Sequence, residues 1–274
     1  MNISVKSLIK KSLGKFDIDV SRRGAVQRMI SQNARLEQLV IEKSRGSDDL
    51  ELLFSVPDQH APKLLKALGK SKSQLRQDLF VLSELDFKRN GFFVEFGATN
   101  GIDLSNTHLL EKEFGWTGIL AEPAKCWRQD LRANRNSHID TDCVWRDSNS
   151  ILNFNEVDSA ELSTINSYSS ADHHQESRKE GKTYDVKTIS LVDLLRKYDA
   201  PRLIDYLSID TEGSEFEILN SFNFDYYQFK IITCEHNFTS KREEIFMLLT
   251  SKGYVRKFEK LSKFDDWYVK TDWS

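Results

Sequence analysis

Acidic residues recur where apolar, β-favouring runs of this sequence end, and that recurrence is its first chemical signal. Glu95 lies within Gly91-Phe92-Phe93-Val94-Glu95-Phe96-Gly97-Ala98-Thr99-Asn100-Gly101, and Glu122 closes a run that begins at Gly115-Trp116. Asp210 and Glu212 follow Leu203 to Ile209, while Glu235 and His236 follow Lys230 to Cys234. A carboxylate at a strand end can take a hydroxyl proton, orient a sugar hydroxyl or hold a cation. An imidazole, with an unperturbed pKa near ~6.5, can do the first of these.

The elements that position these groups follow from the pattern. The run into Gly97 reads as a strand, Gly97 to Gly101 as a tight loop, and Ser105-Asn106-Thr107 as the opening of a helix from His108 to Phe114. In a parallel sheet such a loop lies at the carboxyl edge, where free helix amides face a nucleotide or carboxylate. A dinucleotide fingerprint needs three glycines, whereas here Thr99 stands between two. The E-x-G-x-x-x-G form instead resembles motif I of S-adenosylmethionine (SAM) dependent methyltransferases. Glu122, about 20 residues past the glycine turn, is placed to accept hydrogen bonds from ribose hydroxyls or to cap the helix after Pro123. A third strand over Ser137 to Val144 puts Asp142 at its end, a candidate for the adenine amine or a plain turn acid.

The rest of the chain fills in a sheet with helices. A helix is expected from Ser73 to about Lys88, with Leu75, Leu79, Val81, Leu82 and Leu85 on its apolar face. Residues 150–157 read as an extra strand, 158–184 as a long irregular insert, and Val186 to Ile189 as a short strand before a helix capped by Ser190. His173-His174 in that insert reads as solvated loop, because no further ligands neighbour it at a suitable spacing. Two buried strands, Leu203 to Asp210 and Lys230 to Thr233, precede a helix over 240–251, and segments at Tyr254 and Trp267 form an antiparallel closing pair.

Composition narrows the classes. The chain has 274 residues, a net charge of −3 and 30% charged residues, so no domain-wide basic field is offered to nucleic acid. Cys126, Cys143 and Cys234 lack any C-x-x-C spacing and read as reduced thiols of a cytoplasmic protein. No apolar run approaches the ~20 residues of a membrane span. Residues 1–45 carry ten Lys or Arg against four Asp or Glu, with Ile3, Leu8, Ile9, Leu13 and Phe16 interleaved among lysines. That stretch reads as a solvated helix or, less simply, a peripheral membrane contact. Val26 to Val40 has the spacing of a short packing or dimerisation helix, leaving a homo-oligomer open. Residues 46–70 read as connection, so the expected division is an N-terminal basic, helical extension and connection over 1–70 and a domain over 71–274.

Taken together, these segments resemble the FkbM-type methyltransferase family from about Ser73 to Val269. The resemblance rests on Phe93-Val94-Glu95-Phe96-Gly97-Ala98, Ser105-Asn106-Thr107 with Leu109-Leu110-Glu111, Gly115-Trp116-Thr117-Gly118 with Ala121-Glu122-Pro123, Ile204 through Phe216, and Glu235-His236-Asn237. It implies an α/β, Rossmann-like class I methyltransferase fold: a mostly parallel twisted sheet, helices on both faces and an antiparallel closing strand. It also implies SAM as cofactor and O-methylation of a hydroxyl on a sugar, glycan or secondary metabolite. Carried onto this chain, Glu95, Gly97, Ala98, Thr99, Asn100 and Gly101 hold the methionine end of SAM, Ser105 and Asn106 meet its carboxylate, Glu122 takes the ribose and Asp142 the adenine. Asp210 faces the transferable methyl. Asp210, Glu212 and His236 are the catalytic candidates, one of them removing the acceptor proton. A divalent metal on Asp210, Glu212 and His236 is the less favoured route, because these groups lie on two strand ends whose convergence a sequence does not reveal. The alternative function is a catalytically inactive SAM-fold binding or scaffold protein, which would keep the glycine loop without the acids.

Overall fold

The structure is a computed structural model and describes residues 45–157, 163–169, 178–179 and 181–272. The chain divides into two compact units, Met1–Glu51 and Leu52–Ser274. In the first, residues 45–51 are helical; the basic run before them and the expected packing helix over Val26 to Val40 lie outside the described residues. The second unit carries the sheets.

Its strands in chain order are β1 (Phe92–Phe96), β2 (Thr117–Ala121), β3 (His138–Asp140), β4 (Cys143–Trp145), β5 (Ile151–Glu156), β6 (Thr164–Ile165), β7 (Lys182–Ser190), β8 (Leu203–Ile209), β9 (Gln228–Glu235), β10 (Tyr254–Lys257) and β11 (Asp265–Lys270). Seven form one sheet in the order β10-β11-β9-β8-β1-β2-β3. All neighbours from β9 to β3 are parallel, and β11 is antiparallel to both β9 and β10. This is the doubly wound class I arrangement with its antiparallel closing strand. The order reverses between β1 and β8, so the crevice beyond their carboxyl ends is where such a sheet binds its ligand.

The strands are nearly continuous apolar runs because both faces are covered. Alternate residues enter two cores. Val94, Phe96, Ile119, Leu207 and Ile232 pack with α5 (Leu191–Lys197), α6 (Glu215–Ser221) and α7 (Lys241–Ser251). Phe93, Leu120, Tyr206, Ile231 and Trp267 pack on the other face with α1 (Ala61–Leu68), α2 (Gln77–Glu84), α3 (His108–Phe114) and α4 (Arg128–Asn134). Each fully buried leucine or isoleucine here contributes roughly 1.5–3 kcal/mol relative to exposure. None of the described helices is long and apolar enough to cross a membrane.

Four sequence expectations change. The connection over 46–70 contains α1: its proline pair reads as a break, but Pro62 occupies the first helical turn, where its missing N–H costs nothing, and Leu64 and Ala67 are buried. The helix expected from Ser73 starts at Gln77, because Arg76 takes a left-handed φ of 70° and Ser73 Oγ receives the Asp78 amide instead. The single third strand over Ser137 to Val144 is two strands in different sheets. Asp140 Oδ1 accepts the Asp142 amide at 2.9 Å, a local turn that ends β3 before β4 begins. Finally, the insert is not wholly irregular and the strand before α5 is longer than expected. β6 lies within the insert, and β7 starts at Lys182, giving a second sheet ordered β4-β7-β5-β6.

Candidate active site

The turn after β1 is shaped by close backbone approach. Gly97 has φ +71°, and a Cβ there would come within 2.1 Å of the Asp210 carbonyl oxygen, so only glycine lets the ends of β1 and β8 meet. Gly101, at φ +80°, would drive a side chain into Leu131 and Arg135. Thr99 adopts φ 45° and donates its amide to Glu122 Oε2 at 2.9 Å. Asn100 closes the turn with its own side chain, its Oδ1 accepting the amides of Ile102 and Asp103.

Glu95 is buried and saturated. Its oxygens accept the Asn106 amide at 2.6 Å, the Thr107 hydroxyl at 2.5 Å and the Ser105 hydroxyl at 3.1 Å. Arg135, whose side chain is fully buried, lies 3.6 Å from Glu95 and donates to Glu111 Oε2, the Gly101 carbonyl, Ser105 Oγ and Thr107 Oγ1. Burial opposes the Glu111 charge, but Arg135 and the donors Ser137 and Asn136 outweigh it and take that carboxyl down to about 2. Glu95 therefore ties β1 to the start of α3, and Arg135 ties both to α4. The sequence carries no signal for Arg135 beyond an arginine at a helix end.

Glu122 bridges the glycine turn and β2. Its Oε1 accepts the Ala124 amide at 2.8 Å, its Oε2 the Thr99 amide, and burial pushes the carboxyl up to about 7. Glu122 is among the residues that line the adjoining cavity, and each of its oxygens has a second lone pair.

A second set of acids gathers at the ends of β8 and β9. One oxygen from each of Asp210, Glu212 and Glu235 lies within 4.8 Å of the others. Burial raises both Asp210, to about 6, and Glu235, well above the carboxylate range; a hydrogen bond between them eases Asp210 and adds to the rise of Glu235. The pair therefore shares a proton that rests on Glu235. Glu212 Oε2 accepts from Arg178 Nη2 at 2.8 Å and Asn237 Nδ2 at 3.2 Å, and the Arg178 side chain, from the insert, is fully buried. Glu215 holds the loop in shape by accepting the amides of Thr211 and Gly213. Asp265 pairs in register with Glu235 across β9 and β11, and burial pushes it up to about 8.

Glu95, Glu122, Asp210 and Glu212 line one cavity that encloses about 840 Å³ including its open mouth. Gly97, Thr99, Asn106 and Pro123 line it as well. An apolar wall is built by Cys143 and Val144 from β4, Phe154 from β5 and Ile165 from β6. A smaller cavity of about 320 Å³ adjoins it, sharing Leu104, Asn106 and Asp210 and adding Gln77, Glu235 and Asp265.

Several sequence candidates fall outside the lining. Ser105 lies behind the lining and faces Glu95. Asn106 does line the cavity; its backbone amide is taken by Glu95, and one of the two N–H groups of its side chain by Ser208 Oγ at 3.0 Å. Its Oδ1 is buried and has no hydrogen-bond partner among the described residues. Ala98, Asn100 and Gly101 shape the turn from behind, and in place of Asp142 the next two residues line the wall. His236 does not join the acids. Its Nδ1 accepts the Phe238 amide, its Nε2 lies 3.7 Å from Asp266 Oδ1, and burial pushes its pKa down. The tight turn of Asn237 and Phe238, both with positive φ, directs the ring onto β11. Glu235 is visible in the sequence as one acid among several at strand ends, with nothing to single it out, and Asp265 carries no motif at all.

A sequence profile described as "Methyltransferase FkbM domain" matches residues 95–256. No curated protein matches the chain. Among solved structures it is similar to a precorrin-6y C5,15-methyltransferase from Geobacter metallireducens GS-15, at 11% identity over 70% of this chain and 84% of that one, with a TM-score of 0.38. It is also similar to a putative RNA methyltransferase from Pyrococcus horikoshii, at 10% identity over 72% and 82% of the two chains, with a TM-score of 0.36.

Proposed function

The chain belongs to the FkbM methyltransferase family, and from that premise we propose that it methylates a hydroxyl oxygen of a sugar, glycan or secondary metabolite. The observation that carries this reading is the pair of carboxyls, Asp210 and Glu235, brought together at the ends of β8 and β9, where burial raises both above the ordinary carboxylate range. An alcohol, unlike an amine, has to give up a proton as its oxygen attacks, and a carboxylate raised toward neutral pH is suited to take it.

SAM, when bound, supplies an electrophilic methyl on a sulfonium. The residues fit it. The glycine turn brings backbone close, the unpartnered Asn106 Oδ1 suits an ammonium, the spare lone pairs of Glu122 suit ribose hydroxyls, and Val144, Phe154 and Ile165 offer an apolar wall for adenine. Asp210 orients the acceptor hydroxyl and receives its proton, while Glu235 beside it holds a proton and keeps Asp210 from being crowded by a second charge. Glu212, anchored by Arg178, fixes the insert at the cavity edge.

Ligand binding to the folded state alone raises apparent stability by about 2.7 kcal/mol at a hundred times Kd. S-adenosylhomocysteine is therefore expected to raise the melting temperature and NAD to leave it unchanged. No shift with S-adenosylhomocysteine, together with calorimetric silence, would remove the proposal.

A further inference from the structure

The smaller cavity is lined by acceptors that nothing satisfies. Glu235 Oε2, Asp265 Oδ1 and Asn106 Oδ1 are buried and have no hydrogen-bond partner among the described residues, and all three residues line this space. Asp265 is 4% exposed and Asn106 8%, so water does not reach them freely. Gln77 Nε2 donates to Asp265 Oδ2 at 3.0 Å, which leaves Oδ1 without a partner among the described residues. Among the described residues no lysine or arginine pairs with Asp210, Glu235 or Asp265, whereas Glu95, Glu212 and Asp266 each have an arginine. A pocket walled by unpaired acceptors calls for a ligand that is positive, donates hydrogen bonds, or both.

We propose that Asp210, Glu212 and Glu235 hold a hard divalent cation of the Mg²⁺, Mn²⁺ or Ca²⁺ class where the two cavities meet. Oxygens opposite one another across such an ion are separated by twice the metal–oxygen distance, roughly 4.2 Å for Mg²⁺ and roughly 4.8 Å for Ca²⁺. The three carboxylate oxygens, all within 4.8 Å of one another, already span that range. Glu212 is held in place by Arg178 and Asn237, the kind of outer support that fixes a ligand's direction. Mg²⁺ keeps several of its waters, and metal-bound waters are donors; the unpartnered Asp265 Oδ1 on the lining is an acceptor for them.

The inference rests on the reading of Asp210 as the residue that meets the acceptor: the ion would take the place of the proton that Asp210 and Glu235 share, released on binding, and Asp210 would offer one oxygen to the ion and the other to the hydroxyl. The test uses the full chain stripped with EDTA and titrated with Mn²⁺ alone, followed by electron paramagnetic resonance and calorimetry. One saturable site is expected, weakened about 100-fold or more in Glu235→Gln and about tenfold in Asp265→Asn, and unchanged in Glu113→Gln, whose carboxylate pairs with Lys70 at the surface. If Glu235→Gln does not fold, Asp265→Asn carries the comparison. Absence of saturable binding, or equal binding by the site variants and Glu113→Gln, overturns the proposal. S-adenosylhomocysteine titrated into the same stripped protein separates the two readings: binding without any Mn²⁺ site removes the cation and leaves the methyltransferase, and a Mn²⁺ site without cofactor binding does the reverse.

Discussion

Glu95 and Asp210 stand at the ends of neighbouring strands on either side of the point where the sheet order reverses, yet their surroundings are opposite. Glu95 accepts hydrogen bonds from three consecutive residues and lies against a fully buried arginine. Asp210 has a second carboxyl for a neighbour, no cationic partner among the described residues, and a pKa that burial lifts to about 6. An acid that is fully satisfied is part of the frame. One left short of partners is where a substrate, a proton or a cation has something to gain, and perturbed groups concentrate at working sites for that reason. The sheet edge thus divides into a finished half on β1 and β2 and a receptive half on β8 and β9.

The contrast breaks most sharply on Asp210. Asp210→Asn should lower turnover by about 10²- to 10⁴-fold while S-adenosylhomocysteine affinity, measured by calorimetry, stays within a few-fold. A loss of affinity with turnover per bound enzyme intact would mean that Asp210 belongs to the cofactor. Glu95→Ala should do the opposite and damage the frame. It removes the acceptor of the Ser105 and Thr107 hydroxyls and the Asn106 amide and one of the two carboxylates beside Arg135, and losing one member of such a buried charged network costs roughly 3–5 kcal/mol. Urea unfolding measures this, and a change below about 1 kcal/mol would deny Glu95 its structural role.

Glu122 lies between the two extremes, since its amide bonds are structural and it also lines the cavity. Glu122→Gln keeps the size but replaces one of the two acceptors of the Thr99 and Ala124 amides by a donor, so it should cost about 1–3 kcal/mol of stability in urea and weaken S-adenosylhomocysteine binding about tenfold. Unchanged affinity would leave it only as the link between the turn and β2.

The smallest effect is in pH, and its sign differs for rate and stability. If Asp210 acts as a base, kcat/KM should rise as pH passes upward through about 6. Glu122 and Asp265 have folded pKa values, about 7 and about 8, above their ordinary ones, so the folded state binds more protons than the unfolded chain between about pH 4 and 8. Their contribution to stability is fully present below the ordinary carboxylate range and is lost as pH rises through those folded values. In EDTA the melting temperature should therefore fall from pH 5 to 8.5, and the fall should shrink in Asp265→Asn. An equal fall in the variant would mean that Asp265 does not titrate in this window.

The sequence by itself determined the strand, glycine turn and helix at Gly97, the acids at each strand end, the parallel core strands and the antiparallel closing pair. All of these are written in local pattern: continuous apolar runs, glycines where backbones must approach, capping residues at helix starts. The periodicity of α3 and α7 could be read to within a residue or two. Only the tertiary structure decided how the acids are used. Whether Ser105 serves a cofactor or Glu95 depends on which way Glu95 turns in a packed core. Whether Ser137 to Val144 is one strand or two depends on a partner strand, β7, more than 40 residues away. The acids of β8 and β9 meet because parallel pairing sets Ile209 beside Cys234, and β11 then brings Asp265 opposite Glu235. Strand register is a long-range property, fixed by which side chains share a core, so the sequence named these carboxyls while only the fold could make them neighbours.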